Sequence, residues 1–362
     1  MSDNGNEAEA EMAKAIFISN DCWLSVFDLL PAYQLGLGIA MISHRFDFYV
    51  DEHFKTRKRT LKYIRIRRKI GENGTKEMTI TNYEGKEMPI PQIPMPRKVI
   101  GFEYISILYI DHNVIAFLHH FRPLFASFPI NLIFETNNDR RILEFILHNI
   151  WPMLGKNIYS MALSDSFFEC LRQSVPSTLN DCPSLRFLFF NCSSCDLFVE
   201  LPCDDSAAAS DRQAVAKWLF TPLQNNVPKM FKCRLHWDDG NLTSKLEAFK
   251  AAFASASSPV NFIVSIWFMS SFDDSDVPFA LTNELTREQL TLKRTSNSCR
   301  FLLIRSPISR DESKWTKWEE EAIRWQTYDL RNQIQFSIIN EDEIGDGLLD
   351  ATPGPSDQQQ QK

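Results

Sequence analysis

No apolar run in this chain of 362 residues reaches the roughly 20 positions needed to cross a bilayer. No basic leader opens it either, because Asp3, Glu7, Glu9 and Glu11 make the start acidic where a secretory signal is basic. These absences predict a soluble chain of the cytoplasm, the nucleus or both, with no membrane partner. Signatures of catalysis are missing as well: there is no Gly-x-Ser-x-Gly, no His-Glu-x-x-His and no dinucleotide fingerprint. Gly71-Glu72-Asn73-Gly74-Thr75-Lys76 has the wrong glycine–lysine spacing for a phosphate loop and reads as a turn. Asp111-His112, His119-His120, Asp204-Asp205 and Asp238-Asp239 lack the surroundings of an acid–base couple, and Cys22 has no neighbouring base. The expectation is a non-enzyme with no catalytic residues and no cofactor.

Cysteine is sparse. Eight thiols, mostly in apolar segments, suit burial in a reducing compartment. Cys192 and Cys195, with Cys182 and Cys203 near them, supply one knuckle where a structural zinc site needs two, so no metal is expected.

The formal charge of −7 is unevenly spread, with nine Lys or Arg and no acid between Lys55 and Lys69. That segment reads either as a charged edge strand with a linker or as a nuclear or nucleic-acid-contacting patch, and the strand is favoured. Nucleic acid is not an expected partner of the whole chain.

The stretch Ile18–Phe54 holds more apolar side chains than its size can hide. Ser19 or Asn20 can cap a first helix bearing Trp23, Val26, Phe27 and Leu30, which Pro31 ends. A second, starting near Gln34, carries Leu35, Leu37, Ile39, Met41 and Ile42 and is weakened by Gly36 and Gly38. A third begins near His44 with Phe46, Phe48, Tyr49 and Phe54. Fewer than about 40 residues seldom build a self-sufficient core, so the surplus must pack on the rest of the chain or on another protein.

Phe27-Asp28-Leu29-Leu30-Pro31, Leu35 and Ile42-Ser43-His44-Arg45-Phe46 stand in the order and spacing of an F-box, which this stretch resembles. Ile18-Ser19 replaces the usual opening Leu-Pro. The resemblance implies docking on the Skp adaptor, and through it on cullin, by Ile18, Trp23, Val26, Phe27, Leu30, Pro31, Leu35, Ile39, Ile42 and Phe46.

Pro89, Pro91, Pro94 and Pro96 form a connector that no helix can traverse. Beyond it strands are expected at Tyr104–Ile110, Ile130–Glu135, Asn157–Leu163, Leu185–Phe190, Phe231–Trp237 and Phe262–Phe268. The intervening helices are Val114–Phe125, Arg140–Leu154, Ser166–Val175, Ala214–Phe220 and Leu242–Ala254. The first four strands start 26, 27 and 28 residues apart, the period of a leucine-rich-repeat-like unit, although ordinary βα units in a compact domain would look similar. Ser193–Asp211 breaks the period and is a candidate client-contact loop. Val277–Thr282, Gln289–Arg294 and Arg300–Arg305 read as an antiparallel meander. Trp315, Trp318, Ala322 and Trp325 form one helical face that packs on it, and Ile334–Ile339 can close the sheet.

Asp181–Leu188 resembles the phrase leading into a repeat strand of F-box proteins with such arrays. Leu281–Thr286, Phe301–Pro307 and Lys314–Ala322 resemble phrases of a large F-box family of plant-parasitic (cyst type) nematodes. The fold expected is α/β, α+β overall. It runs as a disordered start (1–17), an F-box (18–54), a basic segment and connector (55–98), a βα repeat-like domain (99–270), an α+β segment (271–340) and a polar tail (341–362). The resemblance implies the substrate-recognition subunit of a cullin-RING ubiquitin ligase, with a client-binding face that the sequence does not assign. The alternatives are a repeat-type scaffold without ligase attachment and a nuclear or nucleic-acid-associated protein led by residues 55–69.

Overall fold

The computed structural model describes residues 18–30, 32–56, 59–70, 76–81, 87–90, 99–136, 139–154, 156–190, 199–235, 242–268, 278–295, 300–324 and 331–350. The chain divides into two compact units, one of Met1–Arg59 with Met95–Val99 and one of Thr60–Pro94 with Ile100–Lys362. Pro31, Cys192, Cys195, Trp325 and the connector prolines 91, 94 and 96 lie outside the described residues.

The first unit is helical: α1 (Asn20–Asp28), α2 (Ala32–Leu37), a 3-10 turn at Ile39–Met41, and α3 (His44–Thr56). Ser19 caps α1 by accepting from the Cys22 N–H, satisfying a backbone donor that no earlier turn can reach. Gly36 lies inside α2 and Gly38 at the start of the 3-10 turn, so the second helix expected from near Gln34 through Ile42 ends at Leu37.

The second unit is α/β and contains one mixed sheet, with thirteen strands among the described residues. In chain order the strands are β1 (Arg59–Ile70), β2 (Lys76–Thr81), β3 (Glu87–Pro89), β4 (Val99–Ile107), β5 (Ile130–Phe134), β6 (Ile158–Leu163), β7 (Phe187–Phe190), β8 (Lys229–Leu235) and β9 (Phe262–Phe268). Helices α4 (His112–Ser127), α5 (Arg140–Asn149), α6 (Trp151–Leu154), α7 (Asp165–Ser174), α8 (Asp211–Leu219) and α9 (Leu242–Ala254) alternate with β4 to β9. After them come β10 (Phe279–Asn283), β11 (Glu288–Arg294), β12 (Arg300–Pro307), α10 (Glu312–Arg324) and β13 (Gln333–Phe336).

Spatially, β5, β6, β7, β8 and β9 follow one another in chain order and run parallel. A doubly wound sheet would reverse this order part-way. This run of five strands shows no such reversal, an order that a repeat array and a one-directional set of ordinary βα units share. The meander is real and belongs to the same sheet: β10, β11 and β12 continue it antiparallel from β9.

Three expectations need correction. The closing strand does not pair with the meander. Instead, β13 inserts between β4 and β5, parallel to both, with Phe336 opposite Ile107 on one side and Phe134 on the other. The basic strand is not an edge, since β1 lies between β4 and β2. It is anchored by fully buried Leu61, Ile64 and Ile66, while Arg65 and Arg67 point outward. The polar tail does not begin at 341: Ile344 and Leu348 are buried, and Ile344 bridges in parallel to Ile110. Residues 351–362 lie outside the described part.

Helices and strands meet through aromatics. Phe134 stacks on Phe167 of α7 at 4.2 Å and on its neighbour Phe336 at 5.1 Å, and Phe190 meets Phe168 at 5.2 Å. Alternation turns Phe187, Met230, Ile263 and Ile304 to the opposite face, where they pack with Trp315 and Ala322 of α10. The tryptophan helix is therefore a core element, as its spacing predicts. Towards β5 the same face turns polar. Ser160 Oγ donates to Asn131 Oδ1 (2.6 Å), Asn131 Nδ2 donates to the Arg331 carbonyl (2.6 Å), and the fully buried Gln333 amide has no hydrogen-bond partner among the described residues.

Candidate functional site

The first unit builds its interior from one stripe of α1. Trp23, Phe27 and Leu30 recur at helical spacing; Phe27 is fully buried, and Trp23 and Leu30 are half-buried. Trp23 meets Phe46 edge-on at 4.8 Å, and Phe27 meets the His53 ring edge-on at 5.8 Å. His53 is itself buried, with Nδ1 3.8 Å from Asp28 Oδ1. Polar contacts tie the ends together: Arg45 Nε donates to the Tyr49 hydroxyl at 2.8 Å, which in turn donates to Asn20 Oδ1 at the start of α1.

A second stripe of α1, roughly a quarter turn away, consists of Cys22, Val26 and Leu29, and all three are exposed. Leu29 is 83% exposed and Val26 43%. Ile42 (63%), Phe48 (58%) and Ile18 (39%) add further apolar side chains in solvent on the same unit. Single exposed leucines are commonplace, but five large apolar residues left outside a unit of three short helices are a concentration that asks for a covering surface.

The ten residues expected to dock an adaptor therefore divide. Ile18, Val26 and Ile42 are exposed; Trp23, Leu30, Ile39 and Phe46 are half-buried. Phe27 and Leu35 are fully buried and pack in the interior of the unit. Pro31 is outside the described residues. Leu29 and Phe48, outside that set of ten, are exposed as well. Spacing alone could have found Leu29, since it falls three residues after Val26 and off the Trp23–Phe27–Leu30 stripe.

The other candidates hold less. Cys182 is buried and its thiol is pushed up to about 12 by desolvation, the state of an inert core cysteine. No group of three metal-ligating side chains occurs among the described residues. Of the expected client loop, the described part is held by a buried Arg172, which donates to the Ala209 and Ser206 carbonyls and to Asp211 Oδ1 at 2.8–3.0 Å. Ser206, Ala207 and Ala208 remain exposed at its tip. No helix among the described residues is long and apolar enough to cross a membrane. Compared with protein-family models, with curated proteins and with solved structures, the chain matches none of them.

Proposed function

We propose that this chain is a substrate-recognition subunit of a cullin-RING ubiquitin ligase, with no chemistry of its own. Its first unit docks the Skp adaptor, and its second holds a client protein near the ubiquitin-charged enzyme, where the gain is one of effective concentration. The observation that carries this reading is the apolar exposure of Ile18, Val26, Leu29, Ile42 and Phe48 on a small helical unit. The F-box-like order of Phe27–Pro31, Leu35 and Ile42–Phe46 supports it. A nucleic-acid role for the basic strand is less well supported, because Arg67 pairs with Glu87 and Arg68 with Asp342 inside the chain.

Co-purification with the Skp adaptor tests the proposal. Wild-type protein is expected to retain the adaptor, and Val26→Asp combined with Leu29→Asp to lower retention by more than about tenfold without shifting Tm, since both positions are solvated. Phe27→Asp is the wrong probe, because it would place a charge inside the unit's own core. Failure of the wild-type chain to retain the adaptor, beside an F-box control that succeeds, would overturn the reading and leave a scaffold without ligase attachment.

A further inference from the structure

Among the described residues the sheet ends in β3 on one side and β10 on the other, and only the first end is blunted. Strand β3 is three residues long, finishes at Pro89, which has no N–H to offer, and carries Glu87, paired with Arg67. Strand β10 reads Phe279-Ala280-Leu281-Thr282-Asn283, with neither proline nor charge. It is also held firmly. Asn283 Nδ2 donates to the Phe253 carbonyl of α9 (2.7 Å) and to the Ala256 carbonyl (3.0 Å), and Lys250 Nζ lies 4.5 Å from the centre of the Phe279 ring. A rigid, uncharged edge is a template for another strand.

The phase of the hydrogen bonds fixes what that template shows. In an antiparallel ladder successive residues turn their backbone groups alternately to one neighbour and the other. The Thr295 N–H goes to the Arg300 carbonyl and the Ile308 N–H to the Arg287 carbonyl, both between β11 and β12, so alternation turns Glu288, Leu290 and Leu292 towards β10. Opposite them in register stand Asn283, Leu281 and Phe279. The N–H and C=O of Ala280 and Thr282 therefore point away from the sheet, and both residues are exposed. These four groups match themselves. Turned about an axis through Leu281, Ala280 of one copy faces Thr282 of the other and Thr282 faces Ala280, so every outward donor meets an acceptor. An axis through Ala280 would set Thr282 against Pro278 and lose a donor, and one through Thr282 would set Ala280 against Glu284, beyond the end of the strand. Across such an axis each residue meets its own image or a near neighbour's, so any charge in β10 would repel itself, and β10 has none. Leu281, half-buried in one copy, would lie beside its own image with Cα atoms about 4.5 Å apart.

We infer that two copies of this chain associate edge to edge through β10, antiparallel about a two-fold axis at Leu281. The inference uses the second unit alone and stands whether or not the first docks an adaptor. A five-residue ladder covers far less than the roughly 800 Å² per partner of a standard interface, so the association is weak and reversible. Sedimentation of the full-length protein from about 1 to about 100 µM tests it: the mass is expected to rise from 41.9 kDa towards twice that value within this range. Thr282→Pro removes an outward N–H without touching the ladder to β11, and should weaken association about tenfold or more while Tm holds. Leu281→Lys should do the same by placing two like charges at the axis, as should Leu281→Glu, and an equimolar mixture of these two variants should associate again. That recovery separates a lost contact from a damaged fold. A wild-type chain that stays monomeric throughout, leaving the edge to a foreign strand, would overturn the inference. So would association that Thr282→Pro leaves unchanged, or a mixture of the two Leu281 variants that fails to associate.

Discussion

Replacing Glu288 by alanine is expected to destabilise the second unit by about 3–5 kcal/mol, the cost of leaving a buried charge without its partner. Glu288 and Arg305 are each 1% exposed, and their closest approach is 2.7 Å. Glu288 Oε2 accepts from both Nε and Nη2 of Arg305, while Oε1 accepts from the Val260 N–H at 2.7 Å. Arg305 Nη2 also reaches the Ser258 carbonyl, and the guanidinium lies between the Phe220 and Phe253 rings at 5.9 and 5.3 Å. The pair thus stitches the meander strands β11 and β12 to the loop that enters β9. Without Glu288, Arg305 would face two phenyl rings with one carbonyl for company. Joint replacement by Glu288→Met and Arg305→Met should recover most of the loss, short of the Val260 N–H left without an acceptor. Urea unfolding of the single and double variants measures both, and a loss below about 1 kcal/mol for the single change would mean the site relaxes or admits water.

Lys229 should have the opposite effect: its removal is expected to stabilise the chain at neutral pH. The side chain is buried at the start of β8, with Nζ donating to the Trp218 carbonyl at 2.5 Å and lying 5.0 Å from the Trp218 ring centre. No carboxylate pairs with it among the described residues, and the neighbouring cation, Arg186, is turned to the Pro228 carbonyl and to Glu321. Desolvation pushes the amine down from 10.5 to about 7. A base with its pKa lowered on folding binds fewer protons folded than unfolded between these values, so stability rises as pH climbs from about 7 to 10.5. Below about 7 both states are protonated and the penalty is full, with an upper bound near 5 kcal/mol. Lys229→Met keeps the stem, and the Trp218 carbonyl keeps the Thr221 N–H. A gain of about 2 kcal/mol at pH 7, shrinking towards pH 10, is the expected result. Parallel urea titrations across that range would expose an error: equal pH slopes for wild type and variant would mean that Lys229 is solvated after all.

Much of the βα body was legible because its segments are long and strongly patterned. The reading Phe262–Phe268 coincides with β9, and Leu242–Ala254 with α9. The expected helix Arg140–Leu154 is instead broken at Ile150 into α5 and α6, since Pro152 cannot donate to the preceding turn and its ring crowds the carbonyl four residues back. Strand insertion was not legible. Gln333–Phe336 has the same apolar alternation whether it pairs with β12 or slips between β4 and β5, and only the complete sheet chooses. Exposure on the first unit was half legible: helical spacing separates the two stripes of α1, but which one faces inward is decided by Phe46 and His53 on α3.

The insertion of β13 bears on how the protein comes into being on the ribosome. Strands β4 and β5 emerge early, yet the slot between them is filled by residues synthesised some two hundred codons afterwards. Until then each of the two must wait with one rim of backbone N–H and C=O groups unserved, or pair provisionally with the other and later part. The nascent chain therefore cannot finish the centre of its own sheet, and a messenger cut short before Gln333 would leave a gap in the middle of the protein, an invitation to chaperones or to a neighbouring chain's strand.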